Sequence, residues 1–211
     1  MMYLMEHHHF MQINLAAHRS VTGFSLVEVL VSIVVLSFGL LGMVGMQAAA
    51  LQANREARLQ STATVLAREL ADMIRGNKDV GVLTTNNPYL VDDQSPLAAP
   101  TASYCLNVAA SSGCADTTAI ANAEMTEWLA RVDAELSGAR VVSCFDTTPF
   151  DASGLPQWGC TAGAGATIVI KLGWTRSSTN KSNTGAAALE RSSDSGSVPS
   201  VVLQVTAGAG A

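Results

Sequence analysis

One acidic side chain lies near the start of a long apolar run, and no other arrangement in the sequence is better suited to chemistry. From Phe24 to Met46, Glu28 is the only ionisable side chain. A helix of about 23 residues is roughly 34 Å long, which is enough to cross the hydrocarbon core of a bilayer. Because a carboxylate in such a segment costs about 2.5 to 3.5 kcal/mol to insert, we expect Glu28 to have a partner and a function.

The spacing of Gly23, Phe24 and Glu28 resembles the processing and assembly signature of type IV pilins and their relatives. In that superfamily a membrane peptidase cuts after the glycine on the cytoplasmic face and methylates the new amino terminus. The resemblance implies that Gly23 ends a leader, that Phe24 becomes the N-methylated terminus, and that Glu28 meets the amine of a neighbouring subunit. Pairing the two charges offsets the desolvation cost of each. The alternative is that Glu28 lies at the headgroup level of an ordinary signal anchor.

The resemblance divides the chain into three parts. A leader covers residues 1–23, with Met11 as a possible true start and Arg19 as the basic residue that holds the amino end on the cytoplasmic side. A transmembrane and assembly helix covers residues 24–76, and a periplasmic head covers residues 77–211. The apolar core follows the proposed cleavage point, unlike that of an ordinary secretory signal, so the mature chain retains it.

All the histidines of the chain lie in the leader. They are His7, His8, His9 and His18. The mature chain therefore has no Ser-His-Asp or Cys-His dyad and none of the common zinc arrangements. It also shows no paired carboxylates and no glycine-rich phosphate loop in a supporting context. We expect a protein that is not an enzyme, with no catalytic residue, no metal site and no cofactor.

The helix that starts in the apolar run is predicted to continue beyond it. Residues 47–75 contain no proline and are rich in Ala, Leu, Arg, Glu and Gln. An apolar stripe with three-and-four spacing predicts one packed face. Gly76 and Asn77 form a natural stop, which gives one helix of roughly 52 residues. The stripe comprises Leu59, Ala63, Leu66, Leu70, Met73 and Ile74.

The head is predicted to be a small α+β domain packed on the second half of that helix. Residues 77–103 are punctuated by prolines and predict a loop-rich surface stretch, and residues 119–136 predict a second helix. Strands are predicted at 141–145, 167–176 and about 201–205, since apolar residues alternate there. The polar stretch 177–197 is predicted to be mobile. The expected fold class is α+β, type IV pilin-like, with the strands antiparallel.

Four cysteines lie in the head, and none lies in the helix. An even number in a domain expected to face the periplasm predicts two disulfides. Three connectivities are possible. We favour the sequence-local one, because each bridge would close a loop of turn-forming residues. The favoured pairs are Cys105 with Cys114 and Cys144 with Cys160.

The charge of the head limits its partners. From Asn77 onward there are seven Lys and Arg against twelve Asp and Glu, a net charge of minus five. Nucleic acid is therefore not expected as a direct partner.

The helix opens with Phe24-Ser25-Leu26-Val27-Glu28-Val29-Leu30-Val31-Ser32, and Gly39-Leu40-Leu41-Gly42 follows. These residues, with the landmarks of the head given below, resemble the minor pilin PilV, the type IV pilus modification protein. The match is strongest from Gly23 to about Asn77 and looser in the head. It implies a low-abundance subunit, held in the inner membrane before assembly and in the pilus afterwards, that joins other minor and major pilins in a priming or tip complex. Its other expected partners are the prepilin peptidase, the assembly platform and a tip adhesin.

Two alternatives stay open: a pseudopilin of a type II secretion machine, and a membrane-tethered binding module. The head landmarks are Tyr104-Cys105, Cys114-Ala115-Asp116, Leu136-Ser137-Gly138-Ala139 and Ile170-Lys171-Leu172-Gly173-Trp174.

Overall fold

The computed structural model of the protein describes residues 23–107, 112–178, 180 and 182–208. The chain divides into two compact units, residues 1–49 and residues 50–211. Helix α1, Leu26–Gly76, begins in the first unit and ends in the second. Residues 1–22 of the predicted leader lie outside the described residues.

The first unit is formed by the apolar part of α1. Each residue from Gly23 to Ala49 is exposed in the isolated chain. The hydroxyl groups of Ser32 and Ser37 donate to the carbonyl oxygens of Glu28 and Ile33, each at 2.7 Å. The two serines thus satisfy their polar groups within the helix, which an apolar surrounding requires.

Among its described residues, the second unit contains three further helical segments and six strands. They are α2 Lys78–Gly81, β1 Val91–Gln94, α3 Thr117–Glu135, β2 Arg140–Asp146, β3 Thr167–Gly173, β4 Arg176–Ser177, a 3₁₀ turn Gly185–Ala188, β5 Leu189–Glu190 and β6 Val201–Val205. Strands β1, β2, β3 and β6 form one antiparallel sheet in that order, and β4 pairs with β5. The predicted α+β fold class is confirmed.

The predicted apolar stripe of α1 packs into the core of this unit. Ala63, Ala67 and Ala71 are fully buried, and their small side chains let neighbouring elements approach the helix closely. The indole Nε1 of Trp128 on α3 donates to the carbonyl oxygen of Leu66 at 3.0 Å. This bond fixes α3 against α1 and satisfies a buried donor. The core also includes Leu66, Leu70, Ile74, Met125, Leu129, Val132, Val141, Ile168, Ile170 and Leu172.

The stretch that was predicted to be a surface loop is partly buried. It contains α2 and the edge strand β1, and Tyr89 in it is fully buried. The Tyr89 hydroxyl donates to Glu124 at 2.5 Å. Burial and then this carboxylate raise the pKa of Tyr89. The stretch does contain the prolines that indicated a loop. The apolar side chains between these prolines nevertheless pack into the core.

One strand boundary and the conformation at one helix end differ from the sequence prediction, although that helix ends at Gly76 as predicted. Strand β3 ends at Gly173, so Trp174 and Thr175 separate it from β4. Gly76 ends α1 without the left-handed conformation that such glycines often adopt. The polar stretch 177–197 contains the short β4–β5 ladder and the 3₁₀ turn. Its mobility stays a prediction.

A second layer covers the face of the sheet that points away from α1. We call residues 147–166, which connect β2 to β3, the strap. The ring of Trp158 lies over Gly173, where an added Cβ would be 2.9 Å from two ring carbons. The Arg140 guanidinium stacks on the same ring at 4.5 Å from its centroid. The Cys144–Cys160 disulfide ties the strap to β2.

The strap buries an ion pair that the sequence analysis did not single out. Lys171 Nζ lies 2.6 Å from Asp146 Oδ2, and both side chains are 0% exposed. The ammonium also donates to the carbonyl oxygen of Gly159 at 2.5 Å. Asp146 Oδ1 accepts the backbone N–H groups of Thr148 and Thr161 at 2.9 and 3.0 Å. The pair therefore links β2, β3 and both ends of the strap.

The hydrogen bonds keep the Asp146 carboxyl ionised. Burial alone would raise its pKa, but the bonds from Lys171 and from backbone N–H groups outweigh burial and lower the pKa of Asp146 below its ordinary value of 3.8. Because both charges are out of water, each depends on the other.

We predict that Asp146→Asn lowers the free energy of unfolding by about 3 to 5 kcal/mol, because the Lys171 ammonium would stay buried without a counter-charge. Asp151→Asn is the matched control, since Asp151 also accepts two backbone N–H groups in the strap but is exposed. We expect the control to cost under about 1 kcal/mol. Thermal or denaturant unfolding of the full chain in detergent measures both.

The double variant Asp146→Asn/Lys171→Met tests the cause of the effect. Removing the ammonium should restore part of the stability that Asp146→Asn loses. Equal losses for Asp146→Asn and Asp151→Asn would contradict the role of the ion pair.

Candidate processing and assembly site

The proposed cleavage bond lies just before the first turn of α1. Gly23 and Phe24 precede the helix, and both are exposed. The carbonyl oxygen of Ser25 accepts from the backbone N–H groups of Glu28 and Val29 at 3.0 and 3.2 Å, which starts the helical hydrogen bonding. A peptidase would therefore meet an unburied peptide bond just before a helix.

Gly23 has no structural role among the described residues. A Cβ at this position would meet no atom within 4 Å, and its backbone does not adopt a positive φ. The glycine is thus not explained by packing or by a turn. The glycine would be explained if a processing enzyme requires the smallest side chain at position 23.

Glu28 lies in the first turn of α1, and its side chain is exposed. One electrostatic effect acts on its carboxylate there. The amino end of a helix carries partial positive charge, which favours a carboxylate in the first turn. In the part of the chain that the structure describes, no Lys or Arg side chain lies within ion-pair distance of Glu28. A complete counter-charge must come from outside these residues.

The helix that carries these residues is suited to a membrane. Within the described residues, α1 is the one helix long and apolar enough to cross a bilayer, and none of its most apolar window is buried. A core helix of a soluble protein would bury this window. A retained membrane anchor and a removed signal sequence can have the same length and composition, so the position of cleavage decides which of the two this segment is.

The four cysteines form two disulfides in the second unit. Cys105 is bonded to Cys114, and Cys144 is bonded to Cys160, with Cα–Cα distances of 4.9 and 6.3 Å. These are the sequence-local pairs. The first bridge connects two positions of the segment that precedes α3. The second bridge holds the strap on β2.

One group of potential metal ligands occurs among the described residues: Cys144, Asp146 and Cys160 lie together. Both cysteines are bonded to each other, so neither offers a thiolate. The Asp146 carboxylate already accepts from Lys171 and two backbone N–H groups. The arrangement is thus explained by the architecture of the strap.

Residues 18–44 match the family described as the prokaryotic N-terminal methylation motif. The motif indicates a type IV pilin-like or pseudopilin-like prepilin. Proteins with this motif are typically structural, and the motif implies contacts with other pilins and with a prepilin peptidase. A search of curated proteins and a search of solved structures each found no match. The matched segment includes Gly23, Phe24 and Glu28, together with the exposed apolar part of α1.

Sequence reasoning missed the residues that position the strap. Lys171 was recognisable in one respect: it is the only charged side chain in the seven residues of β3. Its partner could not be identified in the same way, because Asp146 is one of twelve acidic residues after Asn77 and is 25 residues away. The pairing of β2 with β3 places both side chains on one face of the sheet, with Asp146 opposite Thr167 and Lys171 opposite Val142, and the long Lys171 side chain reaches the carboxylate.

Proposed function

We propose that this protein is a minor pilin of a type IV pilus, of the PilV kind. Its leader is removed after Gly23, and Phe24 becomes the N-methylated terminus. The single observation that carries the proposal is that the methylation motif coincides with an exposed apolar helix whose Glu28 has no ion-pair partner among the described residues. The chain is held in the inner membrane with residues 77–211 as a periplasmic head, and it enters the pilus on assembly.

Glu28 provides the assembly contact in this proposal. Cleavage creates a positively charged amine at Phe24, beside the partly positive amino end of α1, where a cation is unfavourable. In a filament, the Glu28 carboxylate of one subunit neutralises the amine of the next. Each charge offsets the desolvation penalty of the other. A subunit that assembles out of register therefore has the full desolvation cost of two buried, unpaired charges.

The head landmarks shared with PilV have structural roles that support the comparison. Asp116 caps α3 by accepting the backbone N–H of Ala119 at 2.7 Å. Gly138 has φ +60° in the turn before β2, and a Cβ there would lie 2.3 Å from Thr175 Oγ1, so only glycine fits. Gly173 receives the ring of Trp158, and Trp174 is buried in the core.

In this function the protein joins other minor and major pilins at the assembly platform in a priming or tip complex. It thereby promotes pilus assembly, adhesion and twitching motility, and a tip adhesin is a further partner. The acidic head, with its two disulfides, faces the periplasm before assembly and the cell surface afterwards.

We predict that the intact mass of the mature protein corresponds to a chain beginning at methylated Phe24. Gly23→Val should retain the leader, whereas Gly39→Ala, a second glycine with open space around it, should be processed normally. Mass spectrometry of the purified chains distinguishes the three. A wild-type chain that keeps its first 23 residues would contradict the proposed processing.

We predict that Glu28→Ala inserts into the membrane as well as the wild type but enters filaments poorly. The substitution removes the carboxylate that neutralises the neighbouring amine, and it makes the segment more apolar. Glu56→Ala on the same helix is the matched control. Immunoblots of membrane and sheared-pilus fractions measure both steps. Equal filament incorporation of Glu28→Ala and Glu56→Ala would argue against the pairing.

We predict that a deletion strain loses surface pili and twitching while type II secretion continues, and that the wild-type chain restores both. Electron microscopy, twitching zones and assays of secreted enzymes measure the outcome. Lost secretion with normal pili would identify a pseudopilin of a secretion machine instead.

A further inference from the structure

Both residues next to Cys160 in the sequence are held by the buried ion pair. Before it, the carbonyl oxygen of Gly159 accepts from Lys171 Nζ at 2.5 Å. After it, the backbone N–H of Thr161 donates to Asp146 Oδ1 at 3.0 Å. Hydrogen bonds to charged groups are shorter and stronger than those between neutral groups. The ion pair therefore fixes the backbone on both sides of this cysteine.

The partner of Cys160 lies on the strand that carries Asp146. Cys144 and Asp146 are two positions apart on β2, so their side chains point to the same face of the sheet. The two cysteine sulfur atoms and a carboxylate oxygen of Asp146 all lie within 4.8 Å of one another. We call the Cys144–Cys160 bridge the strap disulfide. An interaction that holds Gly159 and Thr161 in place thus also holds Cys160 beside Cys144.

Loop length by itself favours the other bridge of the protein. Cys105 and Cys114 are 9 residues apart, whereas Cys144 and Cys160 are 16 residues apart. Because closing a longer loop costs more chain entropy, the strap disulfide is about twofold harder to close in an unfolded chain. Any preference for the strap disulfide must therefore come from the folded structure.

We propose that Lys171 and Asp146 are positioning residues for the oxidation of Cys144 and Cys160, and that their ion pair makes the strap disulfide the harder of the two bridges to reduce. In any other position of the strap that still excludes water, the two buried charges would lack the hydrogen bonds that the strap supplies. With the strap held in place, the two thiols are at a high effective concentration. By linkage, the closed bridge stabilises these hydrogen bonds to the same extent.

The oxidation is a balanced two-electron step. Each thiol loses its proton, one Sγ–Sγ bond forms, and two electrons pass to a disulfide oxidant, which is reduced to two thiols. In the experiment that follows, this oxidant is glutathione disulfide.

Equilibration of the full chain in detergent with mixtures of reduced and oxidised glutathione tests the proposal. Free thiols are then alkylated, and the peptides that carry each cysteine pair are quantified by mass spectrometry. The bridged fraction gives the effective concentration of each thiol pair. In the folded wild type, we expect the value for the strap disulfide to exceed that for Cys105–Cys114 by about tenfold or more, since hydrogen bonds to charged groups contribute at least that much to an equilibrium constant. In concentrated guanidinium chloride, we expect the order of the two bridges to be reversed.

The double variant Asp146→Asn/Lys171→Met isolates the contribution of the ion pair. It removes both charges, so the effective concentration for the strap disulfide should fall about tenfold, while that for Cys105–Cys114 stays within about twofold. A general loss of stability would instead lower both values. Asp151→Asn, on the exposed surface of the strap, is the matched control and should change neither value. Unfolding midpoints show whether each oxidised chain is folded.

Two results would overturn the proposal. The first is an equal effective concentration for the strap disulfide in the folded wild type and the folded double variant. The second is a wild type in which the strap disulfide is reduced as readily as Cys105–Cys114, and this result decides the matter if the double variant does not fold. Neither measurement depends on whether the mature chain begins at Phe24, so this inference and the proposed function fail independently.

Discussion

The packing of the apolar stripe of α1 against the sheet and α3 is the constraint on which the second unit depends. Ala63, Ala67 and Ala71 leave room for close approach, and the larger side chains of the stripe fill the space between the layers. Trp128 adds a directional bond to this otherwise non-directional contact, since its indole must find an acceptor when it is buried. Without this helix surface, the inner face of a four-stranded sheet would be open to water.

Covering the other face of the sheet changes the chemistry allowed there. A lysine in the middle of a strand is normally solvated, yet the strap removes Lys171 from water completely. That burial is tolerable because Asp146 and the carbonyl oxygen of Gly159 surround the ammonium. Such a pair does not by itself make a protein more stable than apolar residues would. It does specify one position of the strap, because any other position would separate the charges.

The same electrostatic rule applies to the two units of the chain in different ways. Lys171 and Asp146 satisfy each other within one molecule, whereas Glu28 has no cation within ion-pair distance among the described residues. A charge in an apolar segment favours association when it has no partner in its own molecule, because assembly removes the desolvation cost of that charge. The methylation motif around Glu28 agrees with this view of the first unit.

Much of the fold followed from local patterns in the sequence. The three-and-four spacing after Gln47 predicted the helix face that packs, since a periodic stripe has only one way to be buried. The alternation in residues 167–173 and 201–205 predicted strands β3 and β6 for the same reason. Strand β1 and the burial of Tyr89 could not be found in this way, because a short segment between prolines has too few residues to show a period.

The sequence by itself determined the proposed processing and assembly site, the long helix and the α+β class, because these depend on residues close together along the chain. Tertiary structure alone decided which charges are paired and which sheet edge is open. The pairing of β2 with β3 places Asp146 and Lys171 on the same face of the sheet, where the Lys171 side chain reaches the carboxylate, and the order of the strands makes β6 an edge. Both results join segments far apart in sequence, and the free energy that selects them comes from burial and pairing that exist only once the chain has folded.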